Sequence, residues 1–143
     1  MYFTTTHLNH PYHVAWGQYE FLHIEEDYRV KKLRIKDEQC TSYHHHRNRE
    51  GYFTVVQGIG EVALHDEPNK VLKVGDTISI PKRKNYSLRG LDNFVIIEVQ
   101  IGECDELDTY REGDKYGRPL EYLKDRVVEA AENQEIRRAQ LTS

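Results

Sequence analysis

The sequence predicts an all-β fold, a small barrel or sandwich, and three observations support that prediction. Polar and apolar residues alternate at period two in Tyr19–Ile24 and Tyr28–Ile35, the pattern of strands with one buried face. Further short runs of β-branched and aromatic residues follow, each bounded by turn-forming residues. The length of 143 residues, with 38% hydrophobic and 31% charged residues, suits a single folded domain. Closely spaced short strands of this kind are typical of barrels and sandwiches.

Composition and charge argue against several classes of function. The formal net charge is −4, so general affinity for nucleic acid is not expected. No apolar run approaches the roughly 20 residues of a membrane span. Residues 1–6 lack the basic and apolar regions of a signal peptide. Two cysteines without a CxxC motif are expected to be reduced thiols, so we expect a cytoplasmic protein with neither nucleic acid nor a membrane as partner.

The strands can be followed in order along the chain. The acidic residues 25–27 form the turn between the first two strands, which makes them a hairpin. A strand that carries three histidines comes next, and the strand Tyr52–Val56 is predicted to pair with it as a second hairpin. The remaining strands are predicted at residues 60–64, 71–74, 77–81, 86–89 and 94–101, separated by turns rich in Gly, Pro, Asn and Asp.

The two ends of the chain differ from this pattern. Residues 1–13 show no clear period and are expected to be an arm, which could add an edge strand or reach a partner subunit. Pro119 favours the first turn of a helix, the apolar residues from Leu120 to Ala131 fall on one helical stripe, and a helix is predicted from about residue 119 to 138. The barrel is accordingly placed at residues 14–118, and a C-terminal helix with its tail at residues 119–143.

The histidine triplet is the most distinctive stretch. Alternate side chains of a strand share a face, so His44 and His46 are expected to point one way and His45 the other. Two imidazoles at this spacing, with a carboxylate such as Glu50 a few residues on, can form half of a metal site. The same two histidines could instead be polar residues on a solvent-facing strand.

Five motifs follow one another along the chain. They are Trp16-Gly17-Gln18-Tyr19, Val30-Lys31-Lys32-Leu33, Gly75-x5-Pro81, Ile97–Gly102, and the closing signature Asp108-x2-Arg111-x2-Asp114-x-Tyr116-Gly117-Arg118. In this order they resemble the cupin superfamily and, within it, the type II mannose-6-phosphate isomerase domain, which is often fused behind a mannose-1-phosphate guanylyltransferase. The closing signature is the most specific of the five. The resemblance implies one cupin domain over residues 1–143, an all-β jelly-roll β-barrel with a C-terminal α-helix.

The resemblance also implies a divalent metal, zinc or similar, in the barrel. His44 and His46 match the His-x-His of the cupin motif, and Arg49 matches the arginine of the family's histidine motif. Aligned without gaps, the family's metal-binding glutamate falls on Gly51, with Glu50 as the candidate under a shorter spacing. Tyr86 replaces the fourth ligand, a histidine. The expected metal ligands are listed together as His44, His46, Glu50 and Tyr86.

The function implied is the interconversion of an aldose phosphate and a ketose phosphate, as in mannose-6-phosphate isomerase. Glu98 is the expected base, because a carboxylate within an apolar strand is desolvated and its pKa raised. Lys31 and Arg118 match positions that the family uses near its substrate and could hold phosphate. The alternative structural reading is that Glu98 pairs with Lys31 or Arg118, and that Arg118 stabilises its own turn.

Two other functions are compatible with the sequence. The chain could be a non-catalytic cupin with a degenerate metal site that binds a sugar phosphate or nucleotide sugar. It could also be a metal cupin with other chemistry, such as a dioxygenase. The expected partners are a small-molecule sugar phosphate and a second copy of the chain, since cupins often pair through edge strands.

Overall fold

Nine β-strands make up the described part of the chain. The computed structural model describes residues 8–104 and 107–113. The strands are β1 (Tyr12–Val14), β2 (Gly17–Ile24), β3 (Tyr28–Ile35), β4 (Tyr43–His45), β5 (Arg49–Leu64), β6 (Lys70–Lys73), β7 (Thr77–Ile80), β8 (Tyr86–Gly102) and β9 (Tyr110–Gly113). All nine belong to one curled sheet, which confirms the all-β fold class. This part of the chain contains no helix with the length and apolar character that crossing a membrane requires.

The first predicted hairpin is confirmed. Strands β2 and β3 pair antiparallel from Gly17 opposite Ile35 to Ile24 opposite Arg29, with one bulge. The turn is closed by a 2.9 Å hydrogen bond from the Glu25 amide to the carbonyl oxygen of Tyr28. Strand β3 then pairs with β8. Local alternation therefore fixed both the strands and the face that each one buries.

Strands β5 and β8 are longer than predicted. The sequence predicted two strands in each of these places, divided near Gly58 and near residues 91–93, but each strand runs on through an irregular register. Gly58 has φ +73° and Asn93 has φ 46°. A Cβ at Gly58 would lie 2.1 Å from the Asp92 carbonyl oxygen, so a glycine is needed for this close approach. These residues bend the strands without ending them.

The predicted pairing of the histidine strand with the next strand along the chain is wrong. Strand β4 lies between β8 and β9, with His44 opposite Tyr86, whereas β5 pairs with β6, β7 and β8. The loop after β4 is held by a residue far away in sequence. The backbone amides of Arg47 and Asn48 donate to the carboxylate of Asp108, at 3.1 and 2.8 Å. This contact holds the loop in a path that leads to β5, and β5 does not form a hairpin with β4.

The inner face of the sheet changes from apolar to polar along its strands. The buried side chains run Ile35, Leu33, Lys31 and Arg29 on β3, and Phe94, Ile96, Glu98 and Gln100 on β8. The two strands change character at the same level, because Leu33 lies opposite Ile96 and Lys31 opposite Glu98. The apolar end joins the main hydrophobic core. The polar end is left to form a site.

Some predictions fall at the ends of the chain. Part of the expected N-terminal arm forms β1, which pairs with β2 as an added strand, with Tyr12 opposite Tyr19. The expected C-terminal helix at 119–143 and the end of the barrel at residues 114–118, including Arg118, lie outside the described residues.

Candidate functional site

A cavity of about 100 Å³ lies at the polar end of the inner face. Its walls include the rings of Trp16, Tyr19 and Tyr86. The charged and imidazole side chains that line it are Lys31, His44, His46, Arg49, Glu98 and Arg111. They come from β3, β4, the loop before β5, β5, β8 and β9. Residues far apart in sequence therefore meet because their strands are neighbours in the sheet.

The structure brings His44 and His46 together and turns His45 away from them. The ring centroids of His44 and His46 are 4.9 Å apart, and both rings line the cavity. His45 stacks on Tyr110 with 5.1 Å between ring centroids, and its Nδ1 lies 2.8 Å from Oδ1 of Asn85. The arrangement agrees with the alternation of side chains expected along the strand.

Backbone carbonyls fix the tautomers of both cavity histidines. Nδ1 of His44 lies 2.6 Å from the carbonyl oxygen of Ser42, and Nδ1 of His46 lies 2.7 Å from that of Asp108. A carbonyl can only accept, so each Nδ1 carries a proton and each Nε2 is an acceptor. Metal-binding histidines are oriented in this way, and so is an imidazole that accepts a hydrogen bond from another donor. For His46 that donor is Nη2 of Arg49, at 3.4 Å.

Electrostatics keep His46 neutral. The pKa of His46 lies well below its ordinary value of 6.5, first because the ring is removed from water. The positive charge of Arg49, the neighbouring His44 and the charge of Lys31 lower this pKa further, while the hydrogen bond to Asp108 opposes them. His46 is therefore an uncharged acceptor at neutral pH.

Positive charge exceeds negative charge around the cavity. Lys31, Arg49 and Arg111 are exposed by only 9%, 3% and 4%, and the one carboxylate among the described lining residues, Glu98, by 3%. Nζ of Lys31 lies 4.4 Å from the centre of the Tyr19 ring, a favourable cation–π distance. Arginine and lysine offer donors that fit the oxygens of carboxylates and phosphates, so a cavity with this lining favours an anionic ligand.

Glu98 lies at the centre of the polar face. It is opposite Lys31 on β3 and opposite Phe53 on β5, and its Oε2 accepts a 3.2 Å hydrogen bond from Nε2 of Gln100. A Cβ added to Gly51 would lie 3.2 Å from the same oxygen. The carboxylate thus reaches the cavity with a cation on one side and an apolar ring on the other.

The other predicted site residues are placed differently. Glu50 does not line this cavity but lines a smaller gap beside it, together with His46 and Arg49. Its carboxylate accepts a hydrogen bond from the hydroxyl of Tyr52, which is exposed on the outer face of β5. Tyr86 is buried and packs on the two histidines, with 4.6 Å between its ring centroid and that of His44 and 6.2 Å to that of His46.

The residues present do not fit the divalent metal, zinc or similar, that the sequence led us to expect. Such an ion takes three or four nitrogen, sulfur or oxygen ligands from the protein. Within residues 8–104 and 107–113, no group of three or more His, Cys, Asp and Glu side chains is arranged to hold a metal. Gly51 offers no donor on the inner face. Arg49 places a cation at Nε2 of His46.

Sequence reasoning gave no role to three residues that build the candidate site. Arg49 and Arg111 were matched to family motifs but given no role, and both line the cavity. Asp108 was matched in the same way, and it holds the loop that carries His46. The closing signature was the available signal for Asp108 and Arg111. Their contacts join positions about 60 residues apart, which no local pattern shows.

Solved structures share this fold. KdgF from Halomonas sp. matches with a TM-score of 0.61 and 19% identity, covering 75% of this chain and 99% of that protein. A cupin-like protein from Thermotoga maritima matches with a TM-score of 0.55 and 19% identity, covering 59% of this chain and 67% of the other. At these identities the similarity shows the fold alone, which is the cupin-type barrel expected from the sequence.

Curated relatives are similar in sequence as well. Mannose-1-phosphate guanylyltransferase ManC of Salmonella typhimurium is 30% identical over 115 residues, which cover 78% of this chain and 24% of the relative. Alginate biosynthesis protein AlgA of Pseudomonas syringae pv. tomato is 33% identical over 106 residues, which cover 72% and 22%. The chain thus spans about a quarter of the length of these relatives.

A family profile covers most of the chain. The profile described as mannose-6-phosphate isomerase C-terminal matches residues 4–114. That range contains β1 to β9 and every residue named above as lining the cavity. The chain therefore belongs to the mannose-6-phosphate isomerase C-terminal family, with the fold of a cupin.

Proposed function

We propose that the chain is a sugar-phosphate isomerase of the mannose-6-phosphate isomerase type, which interconverts an aldose phosphate and a ketose phosphate. The observation that carries the proposal is one cavity in which a buried carboxylate, Glu98, faces the buried cations Lys31, Arg49 and Arg111. Membership of the family supports a phosphorylated sugar as the ligand.

These residues match the needs of the reaction. The hydrogen on C2 of the aldose leaves as a proton, its electron pair forms a C1–C2 double bond, and the π pair of the C1 carbonyl moves onto O1, which takes up a proton. The O2 proton then leaves, its electron pair forms the C2 carbonyl, and the C1–C2 π pair takes up a proton at C1. Glu98 is the group that takes and returns the carbon-bound proton. Lys31, opposite Glu98 in the sheet, stabilises the negative charge that develops on the sugar oxygens. The guanidinium groups of Arg49 and Arg111 bind the phosphate through paired N–H donors.

A coupled assay from mannose 6-phosphate to fructose 6-phosphate tests this proposal. Glu98→Gln keeps the shape of the side chain and removes its basicity, so kcat should fall by about 100-fold or more while mannose 6-phosphate still binds. Glu25→Gln, at an exposed turn carboxylate, is the matched control and should leave kcat unchanged. Equal turnover by wild type and Glu98→Gln would reject Glu98 as the base.

A second candidate is a non-catalytic cupin that binds a sugar phosphate or a nucleotide sugar. The incomplete set of metal donors around His44 and His46 favours it. Calorimetric titration with mannose 6-phosphate separates the two candidates. Saturable binding without turnover supports the second candidate, whereas binding with turnover that is lost in Glu98→Gln supports the first.

A further inference from the structure

We infer that the guanidinium of Arg49, and not a divalent metal, is the cation at the His44–His46 pair, and that it holds an anionic ligand there together with Lys31 and Arg111. The inference rests on the proposed function only for the ligand, a phosphorylated sugar. Its statement about the metal stands on the donors and charges of the cavity.

The first step is the direction of the histidine lone pairs. Both Nδ1 atoms donate to backbone carbonyls, so the acceptor of each ring is Nε2. At His46 this acceptor already has a cationic partner, because Nη2 of Arg49 lies 3.4 Å away. Arg49 is 3% exposed, so its charge belongs to the interior of the barrel.

The second step is the space beside the pair. Gly51 is on the inner face of β5, two residues after Arg49, where a side chain from β5 would point towards the histidines. A Cβ there would already lie 3.0 Å from Cε2 of Phe53 and 3.2 Å from Oε2 of Glu98. The gap beside the pair has a volume of about 10 Å³, roughly the room of one water molecule, and its lining includes His46, Arg49, Glu50, Gly51 and Glu98. The carboxylate of Glu50 accepts a hydrogen bond from the Tyr52 hydroxyl. A carboxylate at position 51 could not enter the gap without moving Phe53 and Glu98.

The third step is charge. A divalent ion at the pair would sit in a buried cavity beside Arg49, with Lys31 and Arg111 on the same lining, and like charges repel strongly where water is excluded. A phosphate dianion is instead attracted by these three positive side chains. Arginine offers planar paired donors that fit phosphate oxygens, and a site made of fixed charges needs no ion from solution.

Metal titration of the full chain, after treatment with a chelator, tests the first half of the inference. Cobalt(II) added to the wild type should give neither saturable heat nor the visible absorption of a bound ion. Arg49→Glu replaces the cation with a carboxylate near His46, and it should bind cobalt at least about tenfold more tightly than the wild type. One equivalent of cobalt bound by the wild type at micromolar concentration would overturn the inference, whatever the activity.

Anion binding tests the second half. The affinities of the wild type for inorganic phosphate and mannose 6-phosphate should be the same with and without a chelator. Arg49→Gln should weaken both by roughly 10- to 100-fold, because a charge-assisted contact is lost, and Arg49→Lys should recover part of the loss. Arg47→Gln is the matched control, since that guanidinium is exposed and lies 4.0 Å from the centre of the Tyr110 ring, outside the cavity.

The outcomes distinguish this inference from the proposed function. Chelator-resistant binding that depends on Arg49, without turnover, refutes the isomerase and supports the inference. Loss of anion binding on chelation, or equal affinity in the wild type and Arg49→Gln, overturns the inference even if the protein is an isomerase. The wild-type measurements with and without chelator need no variant, so a substitution that fails to fold leaves the test intact.

Discussion

Replacing Asp108 by asparagine should lower the free energy of unfolding by roughly 2–4 kcal/mol. Asp108 is 4% exposed, and its carboxylate accepts the amide hydrogens of Arg47 at 3.1 Å and Asn48 at 2.8 Å. A hydrogen bond to a charged group contributes about 1.5–3 kcal/mol. The Arg47 amide lies 3.1 Å from both carboxylate oxygens, so an asparagine oxygen in the Oδ2 position can still accept from both amides. Its NH₂ group, in the Oδ1 position, then faces the Arg47 amide, and both bonds lose the charge of their acceptor.

Urea denaturation of the wild type and of Asp108→Asn measures this difference, with the midpoint falling at an unchanged slope. Asp66→Asn is the matched control, because the Asp66 side chain is 88% exposed and its backbone φ of 59° suits asparagine. The control should stay within about 0.5 kcal/mol of the wild type. A change of the same small size in Asp108→Asn would refute the idea that this carboxylate anchors the crossing loop.

Two further predictions follow from the site and the surface. The pKa of His46 in the folded protein lies well below 6.5, so the unfolded state binds the proton more tightly. The free energy of unfolding should therefore fall as the pH drops below 6.5, whereas above 6.5 the contribution of His46 to stability is fully present. His46→Gln should flatten this acid limb in urea titrations, and an NMR titration placing the His46 pKa at or above 6.5 would contradict the reasoning. The homodimer expected from the sequence remains a prediction. Its first candidate contacts are Tyr28 and Ile101, which are opposite each other on β3 and β8 and are 37% and 47% exposed. Sedimentation equilibrium should show a dimer at micromolar concentration that Ile101→Lys dissociates, and a monomeric wild type would overturn it.

Local sequence predicted the parts of the fold that local physics decides. The alternation in β2 and β3 specified two strands, their turn and their buried faces, since a slip of one residue would expose the whole apolar set. The same alternation placed His44 and His46 on one side. These predictions needed only the period of a strand and the chemistry of a turn.

Contacts between distant residues decided what the sequence did not show. Gly58 and Asn93 look like turn residues, but they lie against one another's strands and so bend β5 and β8 without ending them. The loop after His46 is directed by Asp108, whose effect on Asn48 cannot be seen within a window of neighbouring residues. Two predictions were therefore wrong for the same reason, which is that contacts between residues distant in sequence decided the structure. They are the division of β5 and β8 into shorter strands and the pairing of the histidine strand with β5.

The difference between the expected metal site and the observed cavity follows from three positions taken together. Gly51 removes a ligand carboxylate, Glu98 points into the space beside it, and Arg49 donates to the histidine that a metal would use. Loss of a divalent ion removes two positive charges, and loss of its ligand carboxylate removes one negative charge. The net charge of the site therefore falls by only one unit. Lys31, Arg49 and Arg111 still outnumber Glu98 on the lining, so the cavity keeps a field that attracts a phosphorylated ligand. His46 then acts as a fixed acceptor for Arg49, and the loss of one donor removes the metal without removing the basis for binding an anion.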